Sequence, residues 1–327
     1  MSDLIRIAVL DDYQRNAESF ANWSSLEPAA KTVFFHDNVS NIEQLVTRLE
    51  PFSVVVLIRE RTRFDADLIG RLPNLKLIVT IGMANAAIDL AAAKARNILV
   101  SGTDGVDLEA NPVLTWALIL GITRNLYSEV ASIRAGGWQV SIGTDLAGKT
   151  LGLLGLGKIG QVIARYATAF KMRVIAWSQN LTSDKAAQHG VERVEKDDLF
   201  RQADIVSIHL RLSDRTRNLV SEHELSLMKP TAYLVNSSRG PIVSEAALIA
   251  ALQTGRIKGA ALDVFDKEPL PPDHPFRFLP NVLATPHVGF VTENYYANAF
   301  QQIVENIAAW LEGKPRRVIG LDLKIGR

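Results

Sequence analysis

Ten short apolar runs, rich in β-branched residues, recur along the chain and are separated by segments of helical length. They occupy residues 5–10, 54–58, 75–80, 98–102, 150–155, 173–177, 204–210, 232–238, 259–264 and 281–286. Because each run is continuously apolar instead of alternating with polar residues, the runs indicate parallel strands that are buried on both faces. Strands that alternate with helices predict the α/β class, with doubly wound parallel sheets.

The length of the chain indicates two domains. At 327 residues the chain exceeds the size at which a single core stops growing. Ten strands are also many for one sheet, so two sheets are expected. We predict the boundary near residues 102–105, before one long helix over residues 113–135.

Composition narrows the possible classes of function. Lys and Arg number 36 and Asp and Glu 35, so no global field attracts nucleic acid or an anionic membrane. The chain has no cysteine, which excludes disulfides and thiolate metal sites, and we predict no metal site. The longest apolar run, residues 113–123, is too short to span a bilayer, and the N-terminal residues lack a signal-peptide pattern. We expect a cytoplasmic protein that acts on a small molecule.

A glycine pattern follows the predicted strand at residues 150–155. Gly155, Gly157 and Gly160 have G-x-G-x-x-G spacing, with a helix-like segment after them. In this context the first glycine permits a tight turn, the second lets the backbone approach a pyrophosphate, and the third lets the helix pack on the strand. The alternative is a glycine-rich turn without a ligand. The predicted cofactor-binding residues here are Gly155, Leu156, Gly157, Lys158, Ile159 and Gly160.

Polar side chains stand at the carboxyl ends of several predicted strands, where ligands bind in open parallel sheets. Of the six histidines, His209 and His287 lie at such ends. Arg239 follows another strand, and Asp263 and Glu268 lie at the end of the next. Taken singly, each side chain is explained by solvation or by a local hydrogen bond. Their occurrence at neighbouring strand ends favours a functional site.

Five segments carry a resemblance to a known family. They are LLGLGKIG, SIHLRLSDRTRNLV, NSSRG, LDVFDKEPLPPDHPF and TPHVG. In their order and spacing they resemble the D-isomer-specific 2-hydroxyacid dehydrogenase family, of the phosphoglycerate dehydrogenase-like type, over nearly the whole chain. The resemblance implies hydride transfer between NAD(P)H and a small 2-oxo acid or D-2-hydroxy acid.

The same resemblance implies roles for individual residues. Arg239 is the implied substrate-binding arginine, His287 the acid/base and Glu268 its partner. A guanidinium can hydrogen-bond both the carboxylate and the ketone oxygen, while a protonated imidazole supplies the proton as hydride arrives. Asp263 is expected to meet the nicotinamide carboxamide. Further expected cofactor contacts are His209, Leu210, Ser238 and Gly289, and expected substrate contacts are Gly82, Met83, Ala84 and Asn85.

Family architecture implies a discontinuous first domain. Residues 1–103 and 292–327 are expected to form a flavodoxin-like substrate domain, and residues 104–291 a Rossmann-type dinucleotide-binding domain. A homodimer through the cofactor domains is expected, with the helix over residues 113–135 contributing.

The choice between NAD and NADP depends on the residues after the strand 173–177. An acid there would bind the ribose hydroxyls of NAD and repel a 2′-phosphate. Ser178 stands in that position, and Gln179 stands where NADP-preferring relatives often have arginine. We expect NAD as the cofactor, with NADP not excluded and discrimination weak.

Several alternatives stay open at the level of the sequence. Formate-oxidising relatives typically pair the histidine with Gln, and Glu268 argues against that activity. An NAD(H)-sensing, corepressor-like binding protein is a second alternative. The substrate is open among glyoxylate, hydroxypyruvate, phosphoglycerate and bulkier 2-oxo acids. Arg59 and Arg61 follow another strand end and are expected to be solvated.

Overall fold

The computed structural model describes residues 4–105 and 109–320. Residues 1–3, 106–108 and 321–327, which the predicted domain ranges include, lie outside the described residues. The strands are β1 (Ile5–Val9), β2 (Ala30–Phe34), β3 (Val54–Leu57), β4 (Leu77–Thr80), β5 (Leu99–Ser101), β6 (Thr150–Leu154), β7 (Arg173–Trp177), β8 (Glu192–Arg193), β9 (Ile205–Ile208), β10 (Tyr233–Asn236), β11 (Gly259–Leu262) and β12 (Val282–Ala284).

Helices connect the strands throughout. The α-helices are α1 (Ile42–Leu49), α2 (Ala66–Gly70), α3 (Leu90–Ala95), α4 (Ala110–Thr123), α5 (Leu126–Arg134), α6 (Lys158–Ala169), α7 (Ser183–Ala187), α8 (Lys196–Gln202), α9 (Glu222–Leu227), α10 (Glu245–Gln253) and α11 (Glu293–Leu311). In the described part of the chain, no helix is both long and apolar enough to cross a membrane.

The chain forms two compact units. The first comprises Met1–Asp107 and Thr292–Arg327, and the second comprises Leu108–Val291. In the first unit a parallel sheet has the order β2-β1-β3-β4-β5, which is the flavodoxin order. Helix α11 packs in this unit, where the buried Asn306 side chain donates a hydrogen bond of 2.7 Å to the carbonyl oxygen of Gly102.

The second unit contains a parallel sheet of the order β12-β11-β10-β9-β6-β7-β8. Alternate residues of one strand enter different apolar clusters: Tyr233 and Val235 join one, and Leu234 joins the other. The sheet is therefore covered on both faces, which explains the continuous apolar runs. The direction of strand succession reverses between β6 and β9. Such a reversal opens a crevice for a ligand at the carboxyl ends of these two strands.

The α/β class with two parallel sheets is confirmed, and every one of the ten predicted strands is present. The sequence did not indicate β2 or β8, which lie at sheet edges. Edge strands expose part of their side chains, so their apolar pattern is weak; β8 is only two residues long.

The prediction of one long helix over residues 113–135 is wrong. Helix α4 ends at Thr123, and α5 begins at Leu126. Between them Asn125 has a φ of 49°, in the left-handed region that ends a helix. Apolar residues continue on both sides of the break, which is why the sequence did not reveal it.

Candidate active site

The glycine turn joins β6 to α6 at the point where the strand order reverses. Gly155 has a φ of 103°, and its amide donates a hydrogen bond of 2.9 Å to the carbonyl oxygen of Trp177 at the end of β7. Gly157 is the residue that caps α6, whose first turn carries unpaired amide groups and the positive end of the helix dipole. This arrangement suits the pyrophosphate of a dinucleotide.

The space around the three glycines supports this role. A Cβ on Gly155 would lie 2.6 Å from the carbonyl oxygen of His209, and one on Gly160 would collide with the carbonyl oxygen of Gly155. A Cβ on Gly157, in contrast, would meet nothing within 4 Å. Two of the glycines are therefore required by the fold, while the third leaves open space where the pyrophosphate is expected. Of the other predicted residues in this turn, Leu156 is buried, Lys158 exposed and Ile159 half-buried.

The end of β7 lies beside the glycine turn. Ser178 is half-buried there, and Gln179 is exposed. The Gln179 side-chain oxygen accepts a hydrogen bond of 3.3 Å from Nη1 of Arg215, which belongs to the segment after β9. Arg215 is not among the cofactor-binding residues predicted from the sequence. The available signal was its position in the segment SIHLRLSDRTRNLV, which follows a strand end.

The ends of β9 and β10 bring three predicted cofactor residues together. The Ser238 hydroxyl donates a hydrogen bond to the carbonyl oxygen of Leu210. The His209 ring lies 2.9 Å from the Ser207 hydroxyl, and desolvation lowers the pKa of His209 to about 4. Although the side chain keeps some solvent exposure, its ring is therefore neutral at pH 7 and unsuited to hold an anion by charge.

Arg239 stands in a tight turn after β10. The Asn236 side chain closes this turn, because it donates to the carbonyl oxygen of Arg239 at 3.0 Å and accepts from the amide of Ser238 at 3.0 Å. Gly240 packs so closely on the backbone of Phe265 that any side chain would collide with it. The half-buried Arg239 is thereby fixed next to the segment that follows β11.

His287 and Glu268 form a hydrogen-bonded pair. His287 Nδ1 lies 2.6 Å from Glu268 Oε2, and the amide of Phe265 donates to Glu268 Oε1 at 2.9 Å. The two side chains are 20% and 27% exposed, so the pair remains open to solvent and to a substrate. With Nδ1 engaged by a carboxylate, Nε2 is the atom left for proton exchange.

Asp263 holds the turn that carries His287. Its carboxylate accepts hydrogen bonds from the Thr285 hydroxyl at 2.6 Å and from the amides of Val288 and Gly289 at 2.9 Å each. Burial raises the pKa of Asp263, while these donors act in the opposite direction. Between the anchored residues, His287 has a φ of 53°. The structure thus gives Asp263 and Gly289 a role in positioning His287; their predicted contacts with the cofactor stay predictions.

In the first unit, the predicted substrate loop follows β4. The Gly82 amide donates to the Thr103 hydroxyl at 2.9 Å, so it is already engaged. The Asn85 side chain is also engaged, because it donates to the carbonyl oxygen of Arg59 and to the Thr80 hydroxyl at 2.8 Å each. Met83 and Ala84 are exposed. Their backbone amides are therefore the better candidates for binding an anion.

The expectation that Arg59 and Arg61 are solvated is wrong. Both are half-buried. The Arg59 guanidinium lies against Gly82, and Arg61 donates to the carbonyl oxygen of Asp11 at 2.7 Å while lying over the ring of Tyr13. The end of β3 is thus lined by two arginines that pack against neighbouring residues. Composition alone does not reveal this packing.

One further cluster has the spacing of metal ligands. Asp197 of α8 lies together with His223 and Glu224 of α9. Glu224 pairs with Lys196 at 2.6 Å and Asp197 with Arg201 at 3.5 Å, so cations of the protein already balance the carboxylates. We assign no metal to this cluster.

Comparisons with known proteins agree with this geometry. The model for the NAD binding domain of the D-isomer specific 2-hydroxyacid dehydrogenases matches residues 116–289. Glyoxylate reductase from Aeropyrum pernix is 40% identical over 261 residues, which cover 77% of this chain and 78% of that protein. The structure of phosphoglycerate oxidoreductase from Vibrio cholerae has a TM-score of 0.90 and 38% identity, covering 95% of this chain and 100% of that one. An acyclic imino acid reductase in complex with NADPH and D-arginine has a TM-score of 0.74 and 27% identity, covering 96% of this chain and 100% of that one.

Fold, glycine turn and relatives together define a nicotinamide-dependent oxidoreductase of 2-oxo and 2-hydroxy acids. The chain belongs to the D-isomer specific 2-hydroxyacid dehydrogenase family. Its cofactor class is NAD(P). Neither the formate-oxidising nor the corepressor-like alternative is favoured by these relatives.

Gly157 and Gly160 differ in the space that surrounds them. Substitutions at these two positions therefore separate effects on folding from effects on cofactor binding. We expect Gly157→Ala to keep the thermal unfolding midpoint of the wild type but to weaken NAD(P)H binding at least about tenfold, because the added methyl occupies the approach of the pyrophosphate. Gly160→Ala, the matched control, should lower the free energy of unfolding by about 1–3 kcal/mol because its methyl collides with the backbone. Calorimetry and cofactor titration measure both effects. Wild-type cofactor affinity in Gly157→Ala would contradict the assignment.

Proposed function

We propose that the protein reduces a small 2-oxo acid to the D-2-hydroxy acid, and catalyses the reverse oxidation, with Arg239, His287 and Glu268 as its catalytic residues. The 2.6 Å contact between His287 Nδ1 and Glu268 Oε2 carries this proposal. A histidine whose Nδ1 is held by a carboxylate has a fixed ring orientation and exchanges its proton at Nε2.

The side chains divide the chemistry among them. The nicotinamide, when bound, supplies or accepts the hydride. In the reduction, the guanidinium of Arg239 binds the substrate carboxylate and the ketone oxygen, which orients the substrate and polarises its carbonyl. His287 donates its Nε2 proton to that oxygen, and Glu268 stabilises the imidazolium before the transfer. In the oxidation, His287 takes the hydroxyl proton.

The proposed cofactor contacts follow the carboxyl edge of the second sheet. The glycine turn from Gly155 to Gly160 would hold the pyrophosphate, and Ser178 and Gln179 would face the adenosine ribose. At the nicotinamide end, Oδ1 of Asp263 accepts from both the Thr285 hydroxyl and the Val288 amide, whereas Oδ2 accepts only from the Gly289 amide and retains a lone pair. An interaction of Asp263 with the carboxamide is therefore compatible with its positioning of His287.

We propose that the loop after β4 in the first unit contacts a small substrate. Support comes from the glyoxylate reductase of Aeropyrum pernix, the relative with 40% identity. In this loop, the exposed Met83 and Ala84 have the backbone amides that we propose for binding an anion. Glyoxylate and hydroxypyruvate are therefore the first candidates. A cytoplasmic location stays part of the proposal.

A homodimer through the second unit completes the proposal. Helix α5 exposes Leu126, Val130 and Ile133, which lie on one face because of their helical spacing. Exposed apolar residues continue after the helix with Trp138, Val140 and Ile142. Exposed apolar side chains that are concentrated in one segment are typical of an interface.

A panel assay tests the proposed activity. We expect oxidation of NADH or NADPH with glyoxylate or hydroxypyruvate, and weaker turnover with phosphohydroxypyruvate and bulkier 2-oxo acids. Steady-state absorbance at 340 nm would measure each rate. Tight cofactor binding without turnover of any 2-oxo acid would favour a sensor instead.

Removal of the acid/base is expected to uncouple binding from turnover. His287→Gln should lower kcat about 10²–10⁴-fold, the range for loss of a general acid, while the dissociation constant of the cofactor stays within about twofold. His189→Gln is the control, because it makes the same change at an exposed histidine that follows α7. This variant should keep full activity. Full kcat of His287→Gln at neutral pH would refute the role of His287.

Placing a charge in the apolar surface of α5 should dissociate the dimer. We expect wild-type protein to sediment as a dimer and Ile133→Asp as a monomer, because a buried unpaired carboxylate is costly at an interface. Leu4→Asp, an exposed leucine in the first unit, should remain dimeric. A wild-type monomer at micromolar concentration would contradict the proposed homodimer.

A further inference from the structure

A guanidinium from a distant segment reaches the end of β7. Nη1 of Arg215 donates a hydrogen bond of 3.3 Å to the side-chain oxygen of Gln179, and the two residues are 36 positions apart in the chain. The residues that directly follow β7 place no positive charge there, because Ser178 and Gln179 are neutral. The tertiary contact supplies the charge that the local sequence lacks.

The segment that carries Arg215 is held by its own hydrogen bonds. It runs from residue 211 to residue 219, after β9. The Thr216 hydroxyl donates to the carbonyl oxygen of Arg211 at 2.7 Å and accepts from the amide of Ser213 at 2.8 Å. These bonds close a tight turn around residue 215. Arg215 is therefore presented by an ordered loop, although its side chain is exposed.

The path of this loop crosses the expected cofactor position. In the sheet, β6 lies between β9 and β7. A residue after β9 that touches a residue after β7 must therefore pass over the end of β6, where the glycine turn begins. Strands are about 4.8 Å apart, so the loop and the Arg215 side chain together span about 10 Å of the sheet edge. In dinucleotide-binding sheets of this type, the pyrophosphate lies at the glycine turn and the adenosine ribose at the end of the next strand, which is β7 here.

The charges near the 2′ position favour an anion. Gln179 is uncharged, so its contact with Arg215 leaves the guanidinium charge unneutralised by this partner. Arg215 is the arginine of this loop that contacts the end of β7, whereas Arg217 interacts with Asp266, which follows β11. An arginine offers five N–H donors in a plane, which matches the oxygens of a phosphate.

From this contact we infer that Arg215 binds the 2′-phosphate of NADP(H) and that the protein prefers NADPH to NADH. The inference deepens the proposed function, and rests on it only for the position of the adenosine ribose at the end of β7. It replaces the expectation of weak discrimination, which considered only the residues adjacent to β7.

Binding measurements without a 2-oxo acid test the inference. Calorimetric titration would compare NADPH with NADH, and adenosine 2′,5′-bisphosphate with AMP, on the full chain. We expect the wild type to bind the member of each pair that has the 2′-phosphate at least about tenfold more tightly. Arg215→Ala should weaken the binding of NADPH and of adenosine 2′,5′-bisphosphate about tenfold, because one charge-assisted hydrogen bond at an exposed site is lost. The same variant should change the binding of NADH and AMP less than about twofold.

Further variants separate a phosphate contact from general effects. Arg215→Lys keeps the charge but not the planar fork, and should retain part of the preference. Gln179→Glu should reverse the preference towards NADH, because the new carboxylate pairs with Arg215 and repels the 2′-phosphate. Arg201→Ala removes the same charge from the exposed face of α8, and should leave all four affinities within about twofold.

Two results would overturn the inference. Equal weakening of NADPH and NADH by Arg215→Ala, with unchanged thermal unfolding, would assign Arg215 to the shared adenosine. A wild type that binds NADH as tightly as NADPH would remove the preference itself. Because no 2-oxo acid is present, selective NADPH binding without turnover would contradict the proposed reaction but leave the role of Arg215 intact.

Discussion

The buried carboxylate of Asp263 is the interaction on which the arrangement of catalytic groups depends. It joins the end of β11 to the turn after β12, because its two oxygens accept the amides of Val288 and Gly289. His287 stands inside that turn with a φ of 53°, a backbone conformation that costs free energy in a residue with a Cβ. Hydrogen bonds on its C-terminal side keep His287 in this conformation, and the contact with Glu268 then fixes the ring. Without the carboxylate, the amides of Val288 and Gly289 would lose the acceptor that holds them.

Local patterns predicted most of the fold. Buried parallel strands need continuous apolar runs, and the glycine spacing needs a strand before it and a helix after it, so both features are readable in short stretches. The collision that a Cβ would cause at Gly155 or Gly160 explains why glycine stands there. The pairing of Glu268 with His287, in contrast, was inferred from the family resemblance, because residues 19 positions apart have no local signal of contact.

Features that depend on tertiary structure escaped the sequence analysis. The left-handed Asn125 breaks the predicted long helix, although the apolar pattern continues on both sides. In the substrate loop, the Gly82 amide and the Asn85 side chain hold the loop itself, which the sequence did not indicate; the predicted substrate contacts of Gly82 and Asn85 stay predictions. Arg59 and Arg61 pack against neighbours that are close only after folding.

The contact between Arg215 and Gln179 also bears on how cofactor use is assigned from sequence. An assignment from the residue that follows the second strand of the nucleotide-binding half takes an acid as a sign of NAD and an arginine as a sign of NADP. Here the cation enters from a separate loop, which can gain or lose its charge by substitution without any change at the end of β7. Two separate segments, the end of β7 and the loop after β9, therefore control recognition of the 2′ position. Within such a family, the cofactor preference can change without any substitution at the residue that follows β7.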